Sequence, residues 1–208
     1  MITVDIETSP TTNEKVIQRL ADSVKAPGNY KKQESIDKWL DDNRESEAKK
    51  LIDKTALDGT YGSIRCIGYA IDQEDPIVII GMPENEILSV FFGIISGNRG
   101  QLIGHNVKDF DLKFIMQRAI INSVVPPSVF GDYMKRYSDI TYDTMTEWAG
   151  YGKRISLENL AQALVGRGKT GNGADVFKMT DDECAKYCAD DVILTRDVAN
   201  KMMFIGGE

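Results

Sequence analysis

With 208 residues, of which 42% are hydrophobic and 27% charged, the chain has the size and composition of one folded domain with a sizeable core, not of a disordered segment. Its net charge of −7 argues against binding through a broad basic face, although two divalent cations would bring it to about −3 and create a local site attractive to phosphate. No leader pattern and no bilayer-length apolar run is present, and three cysteines without metal spacing suit a reducing compartment, so the chain reads as cytoplasmic with no membrane partner.

The first eight residues read as a strand: Ile2, Val4 and Ile6 alternate with Thr3, Asp5 and Glu7, which places both carboxylates on one surface. Two such charges side by side repel, and a hard divalent cation such as magnesium or manganese relieves them. Taken alone, this pattern favours an ordinary amphipathic strand with a solvated face. Ser9-Pro10 ends it, and residues 14–20 suggest a short helix or connector. The charge-dense stretch from Lys25 to Asp58 carries Ile36, Trp39, Leu40, Leu51, Ile52 and Leu57 at roughly helical spacing, which predicts one or two inserted helices. Its leading run, Lys25 to Lys32, mixes bases with Tyr30 as single-strand binding surfaces do, or is a solvated loop.

Ser63 to Ile71 and Pro76 to Ile80 predict a hairpin. Pro83 opens a helix apolar on nearly all sides, which requires deep burial. A short strand at residues 101–104 leads through His105 and Asn106 into a helix reaching Ile121, with Asp109 and Asp111 in its first turn. His105 is the single histidine, so no histidine-rich metal site can form, and a hydrogen-bonded structural role is its ordinary use. Pro126-Pro127 closes this helical unit, and Ser138 to Thr144 predicts another strand leading into a helical run to Ala149. Ser156 then caps a helix over 157–165, and the glycine-rich stretch from Gly166 to Gly173, with Arg167 and Lys169, reads as a mobile loop with backbone contacts to offer.

Thr180 to Glu183 is a capping box that starts the last helix. Tyr187 and Asp191, four residues apart, share a face with Leu194 and Val198, so a phenol and a carboxylate emerge from an apolar seam while Asp190 points to solvent. Cys184 and Cys188 on the same helix read as small buried hydrophobes.

Asp5-x-Glu7 on a first strand, Asn106-x-x-x-Phe110-Asp111 at a helix start and Tyr187-x-x-x-Asp191 near the C-terminus resemble, in order and spacing, the three motifs of the DEDDy 3′–5′ exonucleases. These form part of the DnaQ-like branch of the ribonuclease H-like fold, and the likeness runs from Ile2 to about Val198. The chain is particularly similar to stand-alone, phage-type exonucleases related to the proofreading domain of family B DNA polymerases. The histidine class would need histidine where Lys186 stands, which leaves the tyrosine class.

The resemblance implies an α/β fold, a mixed central sheet flanked by helices, in a single exonuclease domain over 1–208 without polymerase or helicase parts. Residues 25–58 depart from the family pattern as a helical insertion after the first strand. It implies two divalent ions, Mg²⁺ or Mn²⁺, with Asp5, Glu7 and Asp191 holding the first, Asp5 bridging to the second, and Asp111 reaching the second directly or through water. Tyr187 would orient the attacking water, since a phenol of ordinary pKa about 10 is a poor base at neutral pH. Thr8 and Asn106 would lie near the terminal nucleotide, and Phe110 would pack beneath the site or wedge against a base.

The implied activity is release of nucleoside 5′-monophosphates from the 3′ end of single-stranded DNA, beside replication proteins and, for a phage protein, in the host cytoplasm. An RNA 3′ exonuclease with the same acids and a catalytically silent replication scaffold are the alternatives.

Overall fold

The structure is a computed structural model that describes residues 1–98, 100–169, 171 and 173–205, with side chains at 173–175 left aside. It contains two compact units, one formed by Met1–Glu7 and Ile64–Glu208 and the other by Thr8–Ser63.

The larger unit is built on a five-stranded sheet. Its strands are β1 (Ile2–Ser9, entering the smaller unit at its last two residues), β2 (Ser63–Ile71), β3 (Ile77–Ile79), β4 (Leu102–Gly104) and β5 (Thr141–Asp143). The order is β3-β2-β1-β4-β5, so β1 is the central strand. β4 runs parallel to β1 with Ile2 opposite Leu102, β5 runs parallel to β4 with Gly104 opposite Asp143, and β3 folds back antiparallel on β2, giving the predicted hairpin.

Centrality explains a difference from the alternation seen in the sequence. Ile2, Val4 and Ile6 are buried on one face, but Thr3 and Glu7 are buried on the other, because helices cover both faces of the sheet.

Helix α3 (Glu84–Gly97) follows Pro83 as predicted. It buries Ile87, Leu88, Phe91, Phe92 and Ile95 but leaves Val90 exposed, since it lies on the outside of a layer instead of deep in the core. Helix α4 (Asp111–Ile121) and a short helix α5 (Ser128–Tyr133), unforeseen in the sequence, make the crossover from β4 to β5. Pro127 stands at the N-cap of α5, where a missing N–H costs nothing. Helix α6 (Thr144–Ala149) starts directly from β5, and α7 (Leu157–Val165) is capped by Ser156 Oγ, which accepts a hydrogen bond from Asn159 N.

The last helix, α8 (Asp181–Met202), has the predicted capping box: Thr180 N donates to Glu183 Oε2 at 2.8 Å and Glu183 N donates to Thr180 Oγ1 at 3.3 Å. Leu194 and Val198 pack with Leu157, Leu160 and Ala161 of α7. Where α8 crosses β2, a Cβ on Gly68 would stand 2.6 Å from Cys188 Sγ and 3.0 Å from Val192, so glycine permits the close approach that brings this part of α8 against the sheet.

The smaller unit holds α1 (Glu14–Asp22), α2 (Gln33–Asp53) and a 3₁₀ turn (Lys54–Leu57). Helix α2 is polar around most of its surface, with Ala48 buried, and pairs its own charges, Lys49 with Asp53 and Lys50 with Glu47. Tyr30, in the basic run before α2, packs its ring against Trp39 with centroids 6.3 Å apart. No helix among the described residues is long and apolar enough to cross a membrane.

Candidate active site

Three acids meet where the central strand faces the last helix. Asp5 and Glu7 project from the same side of β1, Asp191 reaches them from α8, and one carboxylate oxygen from each lies within 4.8 Å of the others. Little water screens them: Glu7 is 9% exposed and Asp191 2%. Burial, then the neighbouring Glu7, Asp111 and Asp191 charges, push the Asp5 pKa well above the usual carboxylate range. Glu7 is pushed up to about 8 by burial and then by Asp191. Burial raises Asp191 as well, against the opposing pull of Lys169.

Lys169, in the glycine-rich segment after α7, reaches this acid cluster. Its Nζ lies 2.5 Å from Asp191 Oδ2 and 5.1 Å from the centre of the Tyr187 ring. Burial disfavours the ammonium, but its contacts with Asp191 and Tyr187 outweigh that and hold its pKa above the ordinary lysine value. The site thus contains its own counter-cation. Two glycines just before it, Gly166 in left-handed conformation at the end of α7 and then Gly168, were the signal that this segment turns sharply. Where its side chains reach could not be read from them. Thr170 and Asn172 of the same stretch lie outside the described residues, and its predicted mobility is not at issue in these contacts.

Tyr187 sits one helical turn before Asp191 and is 4% exposed. Burial raises its pKa, although the nearby ammonium opposes this. Among the described residues its hydroxyl has no partner in hydrogen-bond geometry, Lys169 lying over the ring face instead. A buried hydroxyl without a partner is costly unless a ligand completes it.

Asp111 is the first residue of α4 and is buried. Its Oδ1 accepts from Ile6 N at 3.1 Å, the amide between Asp5 and Glu7, so it borders the triad through one peptide unit without joining it. Burial pushes its pKa up to about 7, although amide hydrogen bonds oppose the shift.

The softer candidates fall in different places. Asn106 has a positive φ of 60°, and its N–H donates to Asp143 Oδ1 at 2.9 Å, while Lys108 N donates to Asp143 Oδ2 at 3.1 Å. Asp143 also accepts from Met145 N and Thr146 N, so this one buried carboxylate both caps α6 and holds the Asn106 turn. Its position at a strand end directly before a helix was a readable capping signal; its grip on a turn 37 residues earlier was not. Phe110 packs against Phe114 with ring centroids 5.7 Å apart, at the margin of the core. The Thr8 hydroxyl, within the smaller unit, donates to Ala56 O at 2.6 Å. His105 has the structural role expected of it, bonded to Thr144 Oγ1 and Ile155 O. Asp190 is half-buried, not fully solvated, and lines a cleft of about 430 Å³ beside Tyr187 that also carries Lys178 and Lys186.

The donor set suits a hard divalent cation. Three carboxylate oxygens converge, no thiolate or imidazole competes within the group, and the acids hold raised pKa values that a dication would reverse. Cys188 Sγ approaches Asp5 Oδ2 only to 3.9 Å, and burial helps push that thiol up to about 12, which keeps it a neutral packing group.

The mixed five-stranded sheet flanked by helices, with acids at the central strand and the last helix, defines the architecture of a ribonuclease H-like exonuclease. Residues 71–208 match the family described as predicted 3′–5′ exonucleases related to the exonuclease domain of PolB, and the chain belongs to that family. The substrate class that goes with this membership is nucleic acid. No curated protein matches the chain. The matched region includes Asp111, Tyr187 and Asp191 but begins after Asp5 and Glu7, which tertiary structure brings to Asp191.

Proposed function

We propose that the protein is a tyrosine-class (DEDDy) exonuclease of the phage type, a single exonuclease domain with residues 25–58 as an insertion, which releases nucleoside 5′-monophosphates from the 3′ end of single-stranded DNA. The convergence of Asp5, Glu7 and Asp191, with the Tyr187 hydroxyl beside them, is the observation that carries this reading. Asp5, Glu7 and Asp191 would hold one divalent ion, with Asp5 shared toward a second near Asp111. When bound, such ions lower the pKa of a water and neutralise charge on the scissile phosphate and the departing oxygen.

The protein's own groups do the rest. Buried carboxylates in a dry setting favour a dication over two or three protons, which makes loading of the site release protons near neutral pH. Tyr187, with burial holding its proton on, donates or accepts one hydrogen bond that fixes the direction of an attacking water and does not serve as base. Lys169, fixed beside Asp191, adds positive charge where a phosphate arrives. The turn held by Asp143 presents Asn106 and Phe110 for the terminal nucleotide.

The test is digestion of a 5′-labelled oligonucleotide in Mg²⁺ or Mn²⁺, with a chelator control, by wild type and by Asp5→Ala/Asp191→Ala. The expected outcome is stepwise shortening from the 3′ end that disappears with chelator and in the variant, while the variant's circular dichroism is unchanged. Undiminished digestion by the folded variant would overturn the assignment. Tyr187→Phe should lower turnover by less than loss of an acid, and matched DNA and RNA strands decide the sugar preference.

A further inference from the structure

Away from the acids, an arginine lies between two exposed tyrosines. The Arg136 guanidinium stands 5.6 Å from the centre of the Tyr137 ring and 5.3 Å from that of Tyr151, and the two rings meet edge to face with centroids 5.6 Å apart. Tyr137 is 74% exposed and Tyr151 49%. Exposed aromatic faces in contact with a guanidinium form the surface on which unstacked bases settle, because every base has a π-face and every linkage a phosphate.

We propose that Tyr137, Arg136 and Tyr151 form a stacking platform for a single-stranded nucleic acid, on bases preceding the one at its cleaved end; this rests on the exonuclease reading for its direction and not for its existence. Three observations favour that occupant over a protein partner. The charge is complementary to phosphate: among the described residues no carboxylate pairs with Arg136, Lys153 or Arg154, all exposed, although the chain as a whole carries −7. The platform is joined to the candidate substrate turn, since Lys108 lies two residues after Asn106, its backbone N–H is held by Asp143, and its Nζ donates to Arg136 O at 3.5 Å. The rings are also set in place before any ligand arrives. The Tyr151 hydroxyl donates to Arg136 O at 2.9 Å, and Gly150 and Gly152, with φ of 84° and 76°, make the turn that projects Tyr151. Pinning one turn to another would be served as well by buried rings, whereas Tyr137 keeps most of its surface in water.

The experiment measures fluorescence anisotropy of 5′-labelled 20-mers of oligo-dT and oligo-U, with calcium in place of magnesium, against wild type, Tyr137→Ala/Tyr151→Ala and Tyr137→Phe. Loss of stacking should weaken 20-mer binding about tenfold or more in the double variant, and Tyr137→Phe should bind like wild type. Hydrolysis of the p-nitrophenyl ester of thymidine 5′-monophosphate, which has no second base to stack, should be unchanged in magnesium. Loss with either oligonucleotide supports the platform and shows which sugar it accepts. Binding of both within about twofold of wild type, in a double variant that melts at the wild-type temperature, overturns it. A protein that binds through these rings but never cuts would sink the exonuclease reading alone, and a double variant that binds and cuts the 20-mer as well as wild type would sink the platform alone.

Discussion

At the scale of single residues, the site is a concentration of negative charge that the fold keeps together against repulsion. Glu7 illustrates the consequence for pH. Its pKa in the folded protein, about 8, lies above its ordinary value of 4.5, so the folded state binds a proton that the unfolded chain has released. Stability from this group is therefore full below about pH 4.5 and is lost as pH rises through 8, with Asp111, at about 7, acting in the same direction. In chelator, the melting temperature of the wild type should fall between about pH 5 and 8 more steeply than that of Glu7→Gln, and Mn²⁺ should flatten the wild-type slope. Identical slopes for the two proteins would show that Glu7 is ionised in the metal-free fold. Lys169 limits the cost from within, since its ammonium offsets Asp191.

At the scale of elements, one glutamate ties three of them. Glu84, in the first turn of α3, accepts at Oε1 from Ile64 N (2.6 Å) on β2 and from Arg118 Nε (2.9 Å) on α4, and at Oε2 from Arg118 Nη2 (2.7 Å) and from Asn122 (2.8 Å) just after α4. Both partners of this ion pair are largely buried, with side chains 12% and 13% exposed. Glu84→Ala would remove the carboxylate that Arg118, Asn122 and the Ile64 amide share, so urea denaturation should show a loss of about 3–5 kcal/mol, against about 1 kcal/mol for removing the Thr180 cap by Thr180→Ala. A Glu84→Ala loss below about 1 kcal/mol would mean that water replaces the carboxylate. Helix identity itself was legible: Ser156 and Thr180 mark their helix starts, Pro83 precedes α3, and the hairpin of β2 and β3 lies where alternation and turn residues put it. Helix α5 escaped notice because six residues after two prolines are too few for a period to emerge.

At the scale of the molecule, a chain of net charge −7 must hold a polyanion through a few chosen contacts. Counterion release then predicts a shallow salt dependence, with log affinity for a single strand against log salt of slope about −2, as two to four neutralised phosphates would produce. Titrations at several salt concentrations check this, and a slope steeper than about −5 would reveal a basic track.

The amino-acid order by itself determined the longer secondary elements, the two acids on β1, and the pairing of Tyr187 with Asp191, because periods of two and of 3.6 are local properties of a backbone. That Asp191 meets Asp5 and Glu7 followed from the motif resemblance and not from any local period, and tertiary structure alone decided that Lys169 lies against Asp191 and that Asp143 holds Asn106. The physical reason is that these meetings depend on strand order, on parallel crossovers and on the close approach of α8 over Gly68, which join residues whose separation along the chain carries no period to read.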